Sequence, residues 1–231
     1  MLPAPSASYL NLRSAGPPSA LRKFDSADII VVDGFWADPD ALRQEALSLP
    51  YSRKRSPSGF SFRMAQPRRR QVARALDLIA RICGDSLVRN HSESRFVVET
   101  EDDERLPRAM TWVHFDEWAR VGVLFLAQGS AVRGGTSFFR HRATGATSIL
   151  QALQESDRRA AFADSTVDSA WELVHEVPIQ FNRLVLFRPQ FYHQASCYFG
   201  HHLADGRLYQ LFAFDPTAQC RNTHGVYDGE S

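Results

Sequence analysis

The chain has 231 residues, 44% of them apolar, and a formal net charge of +1 from 27 basic and 26 acidic side chains. That length supports one sizeable core, and so near-neutral a balance argues against a protein whose whole surface is a nucleic-acid footprint. Three cysteines, Cys83, Cys197 and Cys220, without Cys-x-x-Cys spacing argue against a disulfide framework and a thiolate zinc site.

Residues 1–24 are rich in Pro, Ser, Ala and Gly and are expected to form an N-terminal arm ahead of one domain over 25–231. The first residues carry no basic leader, and no segment reaches the ~18 apolar residues of a spanning helix. A soluble, cytoplasmic protein is expected.

Structure is expected to begin at the β-branched run Ile29–Val32, stopped by Asp33-Gly34. Asp38-Pro39 supplies an N-cap and a first-turn proline for a helix running to Leu49 before Pro50. Residues 51–70 hold Arg53, Lys54, Arg55, Arg63, Arg68, Arg69 and Arg70 without an acidic residue and are expected as a solvated basic loop. A channel for an anionic substrate is the sharper reading. Val72, Leu76, Ile79 and Cys83 recur at helical spacing, predicting an amphipathic helix over 71–83 closed by Gly84.

From Arg95 the pattern turns to strands: Phe96–Thr100, Met110–Asp116, Val121–Leu126, Thr136–Phe139, Leu173–Val177, Arg183–Phe187, Gln194–Phe199 and Leu208–Phe214. Residues 117–120 are expected to turn the second and third of these into a hairpin. Gly134-Gly135 makes a turn, and Thr147–Phe162 reads as a helical insertion. Short strands separated by turn signals predict a mainly β fold with flanking helices, a jelly roll whose core runs over about 94–214.

The chemistry is concentrated in His114-Phe-Asp116 and in His193 of Arg188-Pro-Gln-Phe-Tyr-His193. Alternate residues of a strand share a face, so His114 and Asp116 can grip one ion, and His193 can close a two-histidine, one-carboxylate set. Arg207 opens an alternating strand in which Arg207, Tyr209 and Leu211 share one face and Leu208, Gln210 and Phe212 the other. A guanidinium turned inward requires an anion, and Tyr209 can donate to the same one. Arg140, two residues on from Phe138, and Trp118, close to the His-x-Asp pair, are candidate substrate contacts. His141 has no partner two residues on and sits between Arg140 and Arg142, which disfavours a metal role, and His201-His202 reads as solvent-facing.

This ordered set, His-x-Asp, a distal His and then an Arg, resembles the Fe(II)/2-oxoglutarate-dependent dioxygenase superfamily over residues 94–214. The plan is similar to prolyl hydroxylases, although Arg207 stands where those enzymes carry a lysine nearer the distal histidine. The blocks Gly-Gly-Thr-Ser-Phe-Phe-Arg-His-Arg and Asn-Arg-Leu-Val-Leu-Phe-Arg-Pro-Gln-Phe-Tyr-His resemble a bacterial family of uncharacterised function. The resemblance implies a double-stranded β-helix, cupin-like, with the metal at its open end. It makes His114, Asp116 and His193 the catalytic Fe(II) ligands and Arg207 the holder of the distal carboxylate of 2-oxoglutarate, with ascorbate as an accessory reductant.

The function expected is oxidation, hydroxylation above all, of a small molecule or of a peptide or protein side chain. Asp116 favours this over halogenation, for which related enzymes replace that carboxylate by a small residue. A metal-binding jelly roll that senses or binds without turnover is the alternative from another class. A nucleic-acid demethylase, suggested by the basic and aromatic stretch 51–70, is the weaker one.

Overall fold

Ile29–Val32 forms β1, the edge strand of a large sheet, and its register with a later strand runs Ile29 to Phe187 through Val32 to Leu184. The computed structural model describes residues 29–55, 61–83, 87–101, 113–152 and 154–216. The expected arm at 1–24, Gly84, Cys220 and the first part of the expected strand from Met110 lie outside these residues. Helix α1, Pro39–Ser48, starts where Asp38 Oδ1 accepts the Ala41 amide at 3.0 Å, an N-cap that satisfies one of the orphan donors of the first turn. It ends as Leu49 turns extended before Pro50.

The basic stretch departs from expectation, because β2, Ser52–Arg55, and β3, Ser61–Ala65, pair antiparallel. Arg53 stands opposite Arg63, a like-charge pair that disfavours the ladder. The pairing of Met64 and Ala65 with Val97 and Phe96 of the next strand anchors the hairpin. That long-range contact has no local sequence signal. Helix α2, Arg69–Cys83, follows and buries Ala75, Leu76 and Ile79.

The remaining strands are β4 (Leu87–Glu99), β5 (Arg120–Phe125), β6 (Gly135–His141), β7 (Trp171–Pro178), β8 (Leu184–Phe187), β9 (His193–Ala195) and β10 (Arg207–Pro216). They build a seven-stranded sheet in the order β1-β8-β5-β10-β4-β3-β2 and a three-stranded sheet in the order β7-β6-β9, antiparallel throughout. The two sheets enclose the jelly roll that the alternating patterns predict. Residues 147–162, expected as one helical insertion, are a 3-10 turn at Ile149–Gln151 and the helix α3, Glu155–Ala163. No helix among the described residues is long and apolar enough to cross a membrane.

Two layers of core follow from strand parity. On the outer face of the large sheet, Phe96, Val98, Leu208, Phe212 and Phe214 pack with Leu42, Ala46, Leu76 and Ile79 of the helices. Each of these side chains larger than alanine contributes about 1.5–3 kcal/mol by leaving water. Gln210, fully buried on that face, exchanges two amide hydrogen bonds with Gln71 of α2, at 2.8 and 2.9 Å. On the inner face, Val123, Phe125, Val185 and Phe187 meet Phe138 and Val177 of the small sheet. This second layer is the floor of the site.

One polar contact ties the edge of the large sheet to its neighbour. Arg183, 8% exposed, meets both oxygens of Asp33 through Nε at 2.6 Å and Nη2 at 3.0 Å, and its Nη1 donates to the Pro178 carbonyl. A bidentate charged pair of this kind leaves an uncompensated guanidinium if the carboxylate is removed. Asp33→Ala is expected to cost about 3 kcal/mol of unfolding free energy in urea titrations of the metal-free protein. A loss under about 0.5 kcal/mol, the ordinary range of a surface substitution, would sink this assignment.

Candidate metal centre

His114 is not inside a regular strand, contrary to expectation. It makes a single antiparallel bridge with His193, in which the two residues exchange backbone hydrogen bonds at 3.0 and 2.9 Å. The Asp116 amide donates to the Pro189 carbonyl at 2.9 Å. Residues 117–120 therefore carry the chain from the edge of the small sheet to β5 in the large one, and the expected hairpin does not form. A strand rule still places His114 and Asp116 on one side, because both backbones are pinned to the same 188–193 segment.

The register of β6 completes the row. His193 faces Phe138, and Phe138 faces His175 of β7, so His114, His193, Phe138 and His175 lie side by side across the inner face. Phe138 is fully buried and packs edge-on against Phe187 at 5.2 Å. His193, 6% exposed, lies between the rings of Phe187 at 4.9 Å and His114 at 4.4 Å.

His193 Nδ1 lies 2.7 Å from the Phe191 carbonyl oxygen. Only a protonated Nδ1 can donate to a carbonyl, so this contact sets the tautomer and leaves the Nε2 lone pair for a metal. Nε2 stands 3.5 Å from Asp116 Oδ2. Burial pushes the Asp116 carboxyl up, but the hydrogen bond that His193 donates when doubly protonated, the charges that His114 and His193 then carry, and Arg95 outweigh it and hold it at about 2. The group is thus an anionic carboxylate throughout the neutral range.

One ligand atom from each of His114, Asp116 and His193 lies within 4.8 Å of the other two. The donor set, two neutral imidazoles and one carboxylate converging from one side, fits a divalent first-row ion, above all non-haem Fe(II), with positions left for other ligands.

Arg207 and Tyr209 occupy the inner face of β10. Arg207, 3% exposed, donates from Nη1 to Glu99 Oε2 at 2.6 Å and from Nη2 to the Gly135 carbonyl at 3.3 Å. Its Nε is buried without a hydrogen-bond partner among the described residues. The Tyr209 hydroxyl donates to Glu99 Oε1 at 3.1 Å, and the guanidinium carbon sits 4.8 Å from the tyrosine ring centre. Burial, and then the Glu99 carboxylate, push Tyr209 well above its usual value, so it remains a neutral donor. The expectation that Arg207 turns inward matches this placement. The anion it meets is the chain's own Glu99, which the parity argument did not identify.

Gly135 fixes the approach of these elements. A Cβ there would collide with the Val177 carbonyl, and Gly134 adopts φ +70 beside Cys197, so the Gly-Gly pair permits close backbone packing where Arg207 docks. Gly135 and Phe138 are three residues apart on β6, about 10 Å at the usual strand rise.

The other candidates are placed as follows. Arg140 pairs with Glu172 across the β6–β7 ladder at 3.1 Å. Trp118 packs on the inter-sheet core, and its carbonyl accepts from Gln190 at 2.7 Å. His141 is fully buried, with its ring nitrogens 3.0 Å from Thr144 Oγ1 and from Asp164 Oδ2, a satisfied structural histidine. His201 and His202 are exposed.

Two residues of the site escaped sequence reasoning. Glu99 ends an apolar strand and shares parity with Val97, but its significance depends on the β4–β10 register that sets it opposite Arg207. His175 is half-buried with Nε2 unpartnered, and burial, opposed by Glu176, lowers its pKa. Only its pairing with Phe138 brings it into the row.

A family model described as a family of unknown function (DUF6445) matches residues 21–208. The chain belongs to that family. The DUF6445 match takes in Glu99, His114, Asp116, His175, His193 and Arg207 and ends at the start of β10, before Tyr209. No curated protein matches the chain in sequence. Among solved structures, HygX from Streptomyces hygroscopicus, with nickel, 2-oxoglutarate and hygromycin B bound, is similar at 16% identity and a TM-score of 0.54, over 83% of this chain and 84% of that one. SnoK, a non-haem α-ketoglutarate-dependent carbocyclase from nogalamycin biosynthesis, is similar at 16% identity and a TM-score of 0.50, over 87% of each chain. At such identities the fold is what is shared, and this DUF6445 member has the jelly roll of those oxygenases.

Proposed function

We propose that this protein is an Fe(II)- and 2-oxoglutarate-dependent dioxygenase that hydroxylates a small molecule or a peptide side chain. The observation that carries the reading is the pairing of two features on one inner face. A two-histidine, one-carboxylate set is held by a reciprocal backbone bridge, and a buried guanidinium whose Nε has no hydrogen-bond partner among the described residues lies on the inner face of the opposite sheet. Supporting it, the similar structure of HygX holds 2-oxoglutarate and a metal.

His114, Asp116 and His193 would hold the iron, and Arg207 would hold the distal carboxylate of the keto acid. Bound iron supplies oxygen activation coupled to decarboxylation of the keto acid to succinate, with ascorbate keeping it reduced. The chain's own contribution is geometric. The His193 tautomer is set by the Phe191 carbonyl, Asp116 is kept ionised, and Phe138, Phe187 and Phe191 exclude water from the inner side of the site. Trp118, which borders this core, stays the candidate substrate contact, whereas the charge of Arg140 is already matched by Glu172.

The test is stoichiometric. Purified protein supplied with Fe(II), ascorbate and 2-oxoglutarate should release succinate and carbon dioxide in equal amounts, slowly without substrate and faster with it. Binding of both ligands without any succinate would instead support a sensor that keeps the constellation without turnover.

A further inference from the structure

The molecule contains a built-in comparison of two buried arginines. Arg183 presents its Nε–Nη2 edge to both oxygens of Asp33, the fork geometry that matches a carboxylate. Arg207 presents the same edge to no carboxylate: Nε is unpartnered, and Nη2 makes only a 3.3 Å contact with a carbonyl. Its charge is instead matched end-on, by Glu99 through Nη1 at 2.6 Å. Glu99 is itself 4% exposed, faces Arg207 directly in the β4–β10 register, and accepts from Tyr209.

The charge balance has a consequence for any dicarboxylate. Arg207 and Glu99 together are neutral. A second carboxylate on the Nε–Nη2 edge would set two negative groups on one guanidinium. Tyr209, which might have donated to the newcomer, is committed to Glu99. Two carboxylates on one guanidinium repel across roughly 5 Å, enough at an effective dielectric of 20 to weaken the second by about a hundredfold.

Resting on the iron and keto-acid reading above, we propose that Glu99 is the affinity-setting residue of the co-substrate site: an internal carboxylate on Arg207 that competes with the distal carboxylate of a 2-oxo diacid. The fork selects the diacid, and Glu99 weakens its hold, so that retention depends on the metal end of the molecule as well. Glu99 is a positioning residue that acts through Arg207.

The experiment measures binding, not turnover. The dissociation constants of 2-oxoglutarate and of 2-oxovalerate, which lacks the distal carboxylate, are determined anaerobically for the Fe(II)-loaded wild type and Glu99→Gln. The glutamine keeps the size and the acceptor for Tyr209 while removing the charge. 2-Oxoglutarate should bind the variant about tenfold or more tightly than the wild type, while 2-oxovalerate shifts less than about twofold. Because a lone buried cation can destabilise the variant, its melting temperature is followed in parallel. 2-Oxoglutarate should raise it more than it raises that of the wild type, and Glu99→Asp, which draws the carboxylate back from Nη1, should shift affinity in the same direction by a smaller factor.

Equal or weaker binding of 2-oxoglutarate by Glu99→Gln, with the wild type binding it, overturns the role of Glu99 and leaves the proposed function standing. Parallel tightening of both keto acids also overturns it, since the effect would not lie at the distal carboxylate. If neither keto acid binds either iron-loaded protein, the functional reading falls and this inference with it.

Discussion

His193→Ala is expected to abolish iron-dependent succinate formation and to lower affinity for a divalent ion by on the order of a hundredfold or more, beyond the 10–100-fold that loss of a partner behind a ligand costs. The argument rests on how this histidine is held. Its Nδ1 is spent on the Phe191 carbonyl, its backbone is bridged to His114, and its ring is wedged between Phe187 and His114. Nε2 is therefore presented in one tautomer and one orientation, and no neighbouring side chain of this row can substitute for it. His175, the other imidazole of the row, is separated from it by Phe138. The cleanest readout is linkage: an ion present at a hundred times its dissociation constant stabilises the folded protein by about 2.7 kcal/mol. Manganese or nickel should give the wild type a stabilisation of that order and His193→Ala close to none. Asp116→Asn should lose the same metal-dependent stabilisation. Because the fold holds this carboxyl below its ordinary value, the metal-free variant loses some stability of its own, and the metal-dependent gain is read against each protein's metal-free baseline. If either variant is stabilised as fully as the wild type, the ion binds elsewhere and the assignment is wrong.

Local signals in this chain reach as far as one element and its parity. The cap at Asp38, the β-branched run Ile29–Val32 and the helical spacing of Leu76 and Ile79 each settle within a few residues, and the structure places α1, β1 and α2 where they predict. The two faces of β10 are also legible, because Leu208 and Phe212 against Arg207 and Tyr209 is a period-2 pattern. What needs register is not legible. The partner of Arg207 is 108 residues away and is decided by which strand lies beside β10, and the same holds for Asp33 with Arg183 and for His175 with Phe138. The hairpin β2–β3 is hidden for a related reason, since its strands carry charges and depend on β4 for support. The candidate carboxylate and imidazole ligands are visible because their residue types are chemically distinctive. Glu99 at the end of an apolar strand is not, because a lone charge there reads as a strand terminus until its neighbour is known.

Arg207→Met and Glu99→Gln/Arg207→Met form the second decisive pair. Removing the guanidinium alone takes the 2.6 Å cationic partner from the buried Glu99, and breaking a buried ion pair on one side costs about 3–5 kcal/mol. Arg207→Met should therefore be strongly destabilised, with a midpoint in urea well below that of the wild type. Neutralising Glu99 in the same molecule removes the stranded charge, and a buried ion pair replaced as a unit by groups of similar volume is often nearly neutral. The double variant should recover most of the lost stability, with a coupling energy of about 2 kcal/mol or more between the two sites. Binding of the diacid should not recover with it. Both proteins lack the Nε–Nη2 fork, and loss of a charge-assisted bidentate contact of about 3 kcal/mol weakens 2-oxoglutarate by about a hundredfold. Stability regained without affinity would separate the two roles of Arg207, partner of Glu99 in the fold and holder of a carboxylate in the site. Affinity that returns with stability would mean that the arginine matters only for folding, and that a dicarboxylate has no place on it.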